Sequence, residues 1–335
     1  MGARGQNVTL AHVASHCGVS VATVSRSLHN NPLIHPDTRR AVQRAARRLG
    51  YCANAVARSL VRGRSNIIAM AGFFSNASNG LFWTDMARLV RRTLGQRHYL
   101  LMACTVDEEM GSERELFESL ISQMVAGILW IPSKPEETKD IAALTRAAGV
   151  PLVILDQSAE GCDVSFVHSD NGAGAAAAMR HVIAQGHRRI ACLTGPLNYL
   201  SMRQRLAGGV SAAREAGIEP LRVVTGFTYE AARDTARELL SRPDRPTAVL
   251  ASMDDQAWGV LDAARELGLR VPQDLRVIGY GDYIPPHYTR CQLSTVSQRR
   301  EEMIEAAIAA LMDSIQEDRG RREIVTPVEL LIRDT

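Results

Sequence analysis

Residues 9–28 read TLAHVASHCGVSVATVSRSL. Leu10, Val13 and Ala14 make one apolar stripe at helical spacing, and Val21, Val24 and Leu28 make another after Gly18. The pattern predicts two short helices meeting at a glycine turn. Thr9 and Ser20 stand as N-caps, each accepting a hydrogen bond from a backbone N–H of its first turn. A third helix is announced by Pro36-Asp37-Thr38 and runs to about Leu49, where Gly50 supplies the stop. Its Val42, Ala45, Ala46 and Leu49 face inward and its arginines outward.

Charge sets this segment apart. Residues 1–64 hold ten arginines and one acid, Asp37, a net of +9; the whole chain carries +3, which leaves −6 for the remainder. That asymmetry implies that the first segment meets a polyanion. A solvated basic tail is the bland alternative, and the apolar periodicity argues against it. Between Tyr51 and Gly63 lies CANAVARSLVR, too short and too weakly apolar to be a stable helix by itself.

After Ser65 apolar strands alternate with amphipathic helices. Strands are expected near 67–72, 99–105, 127–131, 152–156, 189–194, 222–225, 248–251 and 276–279, with helices near 82–95, 112–124, 138–148, 172–185, 201–216, 230–241 and 255–267. Such alternation implies parallel sheets covered on both faces. The number of units implies two sheets, hence two lobes with a cleft between them. A chain of 335 residues with 46% hydrophobic content can bury two or more cores.

Several function classes are disfavoured. No stretch reaches the roughly 18 uncharged apolar residues of a membrane span, and MGARGQNVTL has no apolar run of signal-peptide length, so the expected location is cytoplasmic. Both the opening residues and the +9 segment argue against an exported solute-binding protein. Six cysteines (17, 52, 104, 162, 192, 291) show no CxxC spacing; they read as reduced thiols, mostly buried, with no zinc site and no disulfide framework. GAGAAA at 172–177 has the composition of a dinucleotide-binding glycine loop, but the next strand ends in Leu193-Thr194-Gly195 without the required acid. No P-loop, zinc-protease or nucleophile-elbow motif appears. Neither an enzyme nor a cofactor is expected.

The segment VTLAHVASHCGVSVATVSRSLHNNPLIHPDTRRAVQRAARRLGYCANAVARSL (8–60) resembles the headpiece and hinge of the lactose-repressor/galactose-repressor (LacI/GalR) family. Downstream, DNGAGAAAAMRHVIAQGHRRIACLTGP, RQRLAGG, MDDQAWGVLDAARELGLRVPQDLRVIGYGD and LSTVSQ resemble that family's effector core, so the likeness spans nearly the whole chain. It implies an α/β protein: an all-α helix-turn-helix headpiece (8–53), a hinge helix (54–63), and a two-lobed, periplasmic-binding-protein-like core of parallel sheets covered by helices (65–335). The lobes would comprise about 65–165 with 297–325, and about 166–296 with 326–335. It also implies a homodimeric regulator, usually a repressor, of a catabolic operon, bound to a palindromic duplex and controlled by a sugar or sugar acid in the cleft.

Val21, Ala22 and Arg26 match the family's base-reading positions on the second helix of the motif. Arg26 can fork onto a guanine's N7 and O6, whereas Val21 and Ala22 can only touch thymine methyls or exclude wrong bases. Thr9, Ser20, Ser25, His29 and Thr38 fit phosphate or positioning roles. The resemblance places Asn54, Val56, Ala57 and Leu60 in the minor groove, with Leu60 wedged into a base step. Pocket positions carried over are Phe73, Phe74, Asp156, Arg205, Phe227 and Asp254, beyond the carboxyl ends of strands. Sugar-binding relatives carry Gly-aromatic-Asp-Asp where this chain has Gly279-Tyr280-Gly281-Asp282, so one sugar-gripping carboxylate is missing and an acidic ligand gains ground. The chain stops at LLIRDT without a leucine heptad tail, which favours dimer over tetramer, and the apolar run at 303–315 reads as a core helix.

Overall fold

The computed structural model describes residues 8–51, 63–73, 80–106, 112–157, 161–283, 291–316 and 320–335, and the chain divides into two units, Met1–Gly63 and Arg64–Thr335. In the first, helices α1 (Leu10–Cys17), α2 (Val21–Leu28) and α3 (Pro36–Arg48) close over Val13, Ala14, Val24, Val42 and Ala46. The Thr9 side chain accepts from the His12 N–H and that of Ser20 from Thr23. Between α1 and α2 the chain reverses at Gly18, whose φ of 63° is open to glycine at little cost. Pro36 opens α3, where a missing N–H forfeits no helical bond. Val21 departs from the expected apolar stripe: it is 47% exposed while Val24 and Leu28 turn inward. Val21 opens its helix, and the core below is filled from α1 and α3.

The second unit contains two six-stranded sheets. One holds β1 (Ile67–Phe73), β2 (Leu100–Val106), β3 (Gly127–Ile131), β4 (Leu152–Leu155), β5 (Ser165–Ser169) and β11 (Glu323–Thr326), ordered β11-β5-β4-β3-β1-β2. The other holds β6 (Ile190–Thr194), β7 (Leu221–Val224), β8 (Ala248–Ala251), β9 (Arg276–Gly281), β10 (Ser294–Ser297) and β12 (Glu329–Leu331), ordered β12-β10-β9-β8-β6-β7. Every pairing is parallel except the antiparallel return of β12 on β10. Strands such as Leu152–Leu155 and Ala248–Ala251 are buried throughout, as a sheet covered on both faces requires.

In the first lobe, α4 (Gly80–Gly95) and α11 (Arg300–Gln316) pack on one face of the sheet. Helices α5 (Glu113–Ser122) and α6 (Thr138–Ala147) pack on the other. In the second lobe α9 (Tyr229–Leu240) and α10 (Asp254–Glu266) cover one face, and α7 (Asn171–Ala184) and α8 (Leu200–Glu215) cover the other. The 303–315 run is the apolar face of α11: Met303, Ile304, Ala307, Ile308 and Leu311 are fully buried.

Twelve strands occur among the described residues, where eight were expected. The missed β5, β10, β11 and β12 are three to five residues long, mix polar with apolar side chains, and border the chain crossings. Because β5 pairs with β4 and β11, the chain first leaves this sheet after Ser169, four residues beyond the expected 165. The cysteines are less buried than expected: Cys162 and Cys192 are buried, while Cys17, Cys104 and Cys291 are half-buried. The GAGAAA run lies inside α7, where its glycines serve close packing. A Cβ on Gly174 would stand 2.5 Å from the Tyr280 hydroxyl, and one on Gly208 of α8 would overlap the Gly172 carbonyl oxygen.

The Gly172–Gly208 approach predicts a contrast. Gly208→Ala should lower the urea-unfolding free energy by about 1–3 kcal/mol through overpacking. Gly209→Ala, whose Cβ meets nothing nearer than 3.6 Å, should be neutral or stabilising.

Candidate nucleic-acid interface and effector cleft

In the first unit, Val21, Ala22 and Arg26 are all exposed on α2. Arg26 has no hydrogen-bond or ion-pair partner among the described residues, so its guanidinium is available to a ligand. Other headpiece groups are engaged internally. The Ser20 hydroxyl caps α2 and lies 2.9 Å from that of Thr23, and His29 sets its Nδ1 2.7 Å from the Ser25 carbonyl oxygen. Asp37, the sole acid, pairs with Arg40 at 2.6 Å, which leaves the remaining arginines uncompensated. Thr9 is exposed and Thr38 half-buried. Asn54, Val56, Ala57 and Leu60 lie outside the described residues.

In the second unit the lobes meet at the carboxyl ends of their strands. Asp156 terminates β4 with φ 54°, a left-handed conformation that aspartate tolerates better than most residues. Its Oδ2 stands 3.7 Å from an NH2 nitrogen of Arg205, which α8 presents from the second lobe. Arg205 is otherwise clamped: Nε donates to Asn171 Oδ1 at 2.8 Å, NH1 donates to the Ser252 carbonyl at 2.7 Å, and the guanidinium lies 3.9 Å above the Tyr280 ring centroid. That stacking suits a buried cation. Burial lifts the Asp156 carboxyl above its ordinary range, opposed by the charge of Arg205. Burial also raises the Tyr280 phenol, again against Arg205.

In the second lobe Phe227 meets Tyr199 edge to face, with centroids 4.8 Å apart, and its ring covers Gly195, where a Cβ would come within 2.8 Å. The Tyr199 hydroxyl crosses the cleft to donate to the Ser133 carbonyl, and the Leu200 N–H donates to Gln157 Oε1 at 2.8 Å. The Ser133 N–H and Trp130 Nε1 both donate to buried Glu113 Oε1, at 3.1 and 3.0 Å. Of the expected pocket positions, Asp156 and Arg205 face each other, while Phe227 packs on Tyr199 and Gly195. Phe73 ends β1, and Phe74 lies outside the described residues.

Asp254 is placed differently. It is 1% exposed, with Oδ1 accepting from Thr295 Oγ1 and Oδ2 from the Asp282 N–H, both at 2.6 Å. Its carboxylate ties α10 to the ends of β9 and β10. Gly281 has φ 135°, and a Cβ there would stand 2.5 Å from Tyr283 Cε1. The Tyr283 ring thus occupies the space that a side chain at 281 would need. Asn171 and Tyr199 also contribute, to the Arg205 clamp and to the contact with Ser133, and were not singled out by sequence. Only the DNG helix start at Asn171 carried a local signal.

Residues 9–54 match the model for bacterial regulatory proteins of the lacI family, and residues 179–335 the model for a periplasmic binding protein-like domain. Over 326 residues the chain is 31% identical to the ribose operon repressor of Escherichia coli (strain K12), covering 96% of this chain and 97% of that protein. The chain belongs to the LacI family. The transcriptional repressor CytR of E. coli K12 is 30% identical over 97% of this chain and 95% of its own. Among solved structures, the Lac repressor dimer bound to operator and the anti-inducer ONPF superposes with a TM-score of 0.84 at 27% identity, covering 98% of this chain and 99% of that one. The regulator CelR in complex with cellobiose gives 0.72 at 29% identity over the same shares. As a LacI-family member the protein is a DNA-binding transcriptional regulator with a small-molecule effector domain, not an enzyme. No helix among the described residues is long and apolar enough to cross a membrane.

In the first turn of α10, burial pushes the Asp255 carboxyl up to about 7, opposed by the hydrogen bond it accepts from the Tyr283 hydroxyl at 2.7 Å. The folded state therefore holds a proton that the unfolded chain releases near pH 4. Its contribution to stability is lost as pH rises from about 4 to 7. Asp255→Asn should flatten the fall in melting temperature across that window; an unchanged pH profile would remove this assignment.

Proposed function

We propose that this regulator represses a carbohydrate or sugar-acid catabolic operon, acting in the cytoplasm as a homodimer on a palindromic operator and responding to a polyhydroxylated effector held between the core lobes. The observation that carries the ligand class is the Asp156–Arg205 pair. At 3.7 Å the two charges face each other across the lobes but stand too far apart for a direct hydrogen bond. A hydroxyl group, which donates and accepts at once, can bridge the two from one side. The Phe227–Tyr199 edge supplies apolar surface for the carbon face of a sugar ring. In the printed names of its relatives, one controls a ribose operon and one is complexed with cellobiose. Gly281 leaves the wall of the second lobe one carboxylate poorer, which extends the class to sugar acids.

On DNA, α2 enters the major groove with Arg26 on a guanine edge and Val21 and Ala22 against neighbouring bases, while Thr9, Ser20, Ser25, His29 and Thr38 set its position on the backbone. Residues 54–60 act in the minor groove, with Leu60 as an apolar wedge. A two-fold pair of headpieces reads two half-sites. Effector binding alters lobe orientation and through it operator affinity, and linkage requires the reciprocal effect.

Two measurements test this reading. Fluorescence anisotropy on palindromic duplexes should show sequence preference, with Arg26→Ala losing about 1–3 kcal/mol of discrimination at one base pair; binding without preference, with and without sugars, would sink the reading. Calorimetric titration with ribose, cellobiose and gluconate should find one saturable ligand whose affinity drops at least tenfold in Asp156→Asn. Equal binding by that variant would move the site elsewhere.

A further inference from the structure

Helix α8 reaches further toward the first lobe than its neighbour α7 does. The two run parallel, with Gly208 against Gly172 and Glu215 paired to Arg180 at 3.0 Å, so the first turns of α8 extend past the start of α7. Gln204 and Arg205 contact Asn171, where the first crossing enters the second lobe. Tyr199 and Leu200 form the tip, about 8 Å further from that crossing along the helix axis.

Two hydrogen bonds join this tip to the first lobe. The Tyr199 hydroxyl donates to the Ser133 carbonyl, and the Leu200 N–H donates to Gln157 Oε1 at 2.8 Å. Tyr199 holds the N-cap position without a side-chain cap, so a helix N–H that α8 itself cannot pair is satisfied from the opposite lobe. The partners are fixed within their own lobes. Phe227 braces the Tyr199 ring, and Glu113 Oε1 holds the Ser133 N–H at 3.1 Å while also accepting from Trp130. Gln157 is buried, which shields its bond from water. Burial lifts the Tyr199 phenol above its ordinary range, with Glu136 and Glu113 adding to the effect, so the hydroxyl keeps the proton it donates.

We propose that the tip of α8 is a latch between the lobes: Tyr199 and Leu200 fasten to Ser133 and Gln157 when the lobes close and release together when they part. Rotation about the crossings displaces a group in proportion to its distance from them, so the tip separates before Arg205 leaves Asp156. The two bonds depend on each other, because both belong to one rigid helix end. They join protein groups only, so they favour closure whatever the cleft holds and slow the escape of its occupant. That effect on a ligand rests on the cleft being the effector site; the latch itself does not.

The test is residue-resolved hydrogen exchange on the full-length protein at constant pH. Tyr199→Phe keeps the ring against Phe227 and the backbone of α8 and removes only the hydroxyl. The Leu200 N–H, whose own acceptor is untouched, should nevertheless exchange about 2- to 12-fold faster, the effect of one hydrogen bond on lobe opening. The amides of Val153 and Val249, central in the two sheets, should keep their wild-type rates. An unchanged Leu200 rate overturns the latch, and so does an acceleration shared by Val153 and Val249, which is general loosening. A second measurement follows the release of ribose, cellobiose or gluconate, whichever saturates the protein, by stopped-flow dilution. Tyr199→Phe and Gln157→Ala should both release it severalfold faster. Faster Leu200 exchange with unaltered release supports the latch and counts against an effector held behind it.

Discussion

A guanidinium withdrawn from water must have each of its edges satisfied, because an uncompensated buried charge costs several kcal/mol. Arg205 meets that demand with a side-chain amide, a main-chain carbonyl and an aromatic face, all from its own lobe, and with one anion from the other. The first three fix where its remaining edge points. The fourth, Asp156, stands at the end of β4 in a left-handed conformation that turns its carboxylate toward the opposite lobe. Cleft chemistry follows from this one arrangement: a fixed donor and a fixed acceptor, separated by slightly more than a hydrogen bond.

Three chain crossings join the lobes, between β5 and α7, between β10 and α11, and between β11 and β12. They are tied to one another and to the cleft. Gln298, in the second crossing, reaches Ser169 in the first at 3.3 Å and Asp156 at 3.5 Å. Arg300, where α11 begins, donates to the carbonyls of Gly281 and Asp282 while pairing with Asp85 at 2.9 Å. Buried Asp254 pulls the ends of β9 and β10 together beside them. A ligand that alters the Asp156–Arg205 separation therefore acts on groups that also belong to the crossings. This is a physical route from cleft occupancy to lobe orientation.

The first unit works by a different balance. Among the described residues, five buried side chains ringed by partly buried ones form a small core, and the caps at Thr9 and Ser20 and the glycine turn contribute to its definition. Among the described residues, Arg40 alone of its arginines has an ion-pair partner. Their mutual repulsion is relieved by a polyanion, so the charge that makes the isolated headpiece weak is what gives it affinity for a duplex.

Helix positions, strand periodicity, the caps and the +9 asymmetry were determined by the sequence itself, because each depends on spacing within a few residues or on simple counts. Family likeness named Arg205 and Asp156, which the fold sets facing each other. Tertiary structure alone decided the rest. That β5 lies inside the first sheet and not at its edge is decided by β11, more than 150 residues away in the chain. The Tyr199 hydroxyl becomes a cleft group only because Ser133 faces it from the other lobe, and Asp254 becomes a tie because Thr295 and Asp282 consume its carboxylate. Such roles belong to pairs distant in sequence, and a local pattern of polar and apolar residues has no way to register a partner that only folding brings within hydrogen-bond reach.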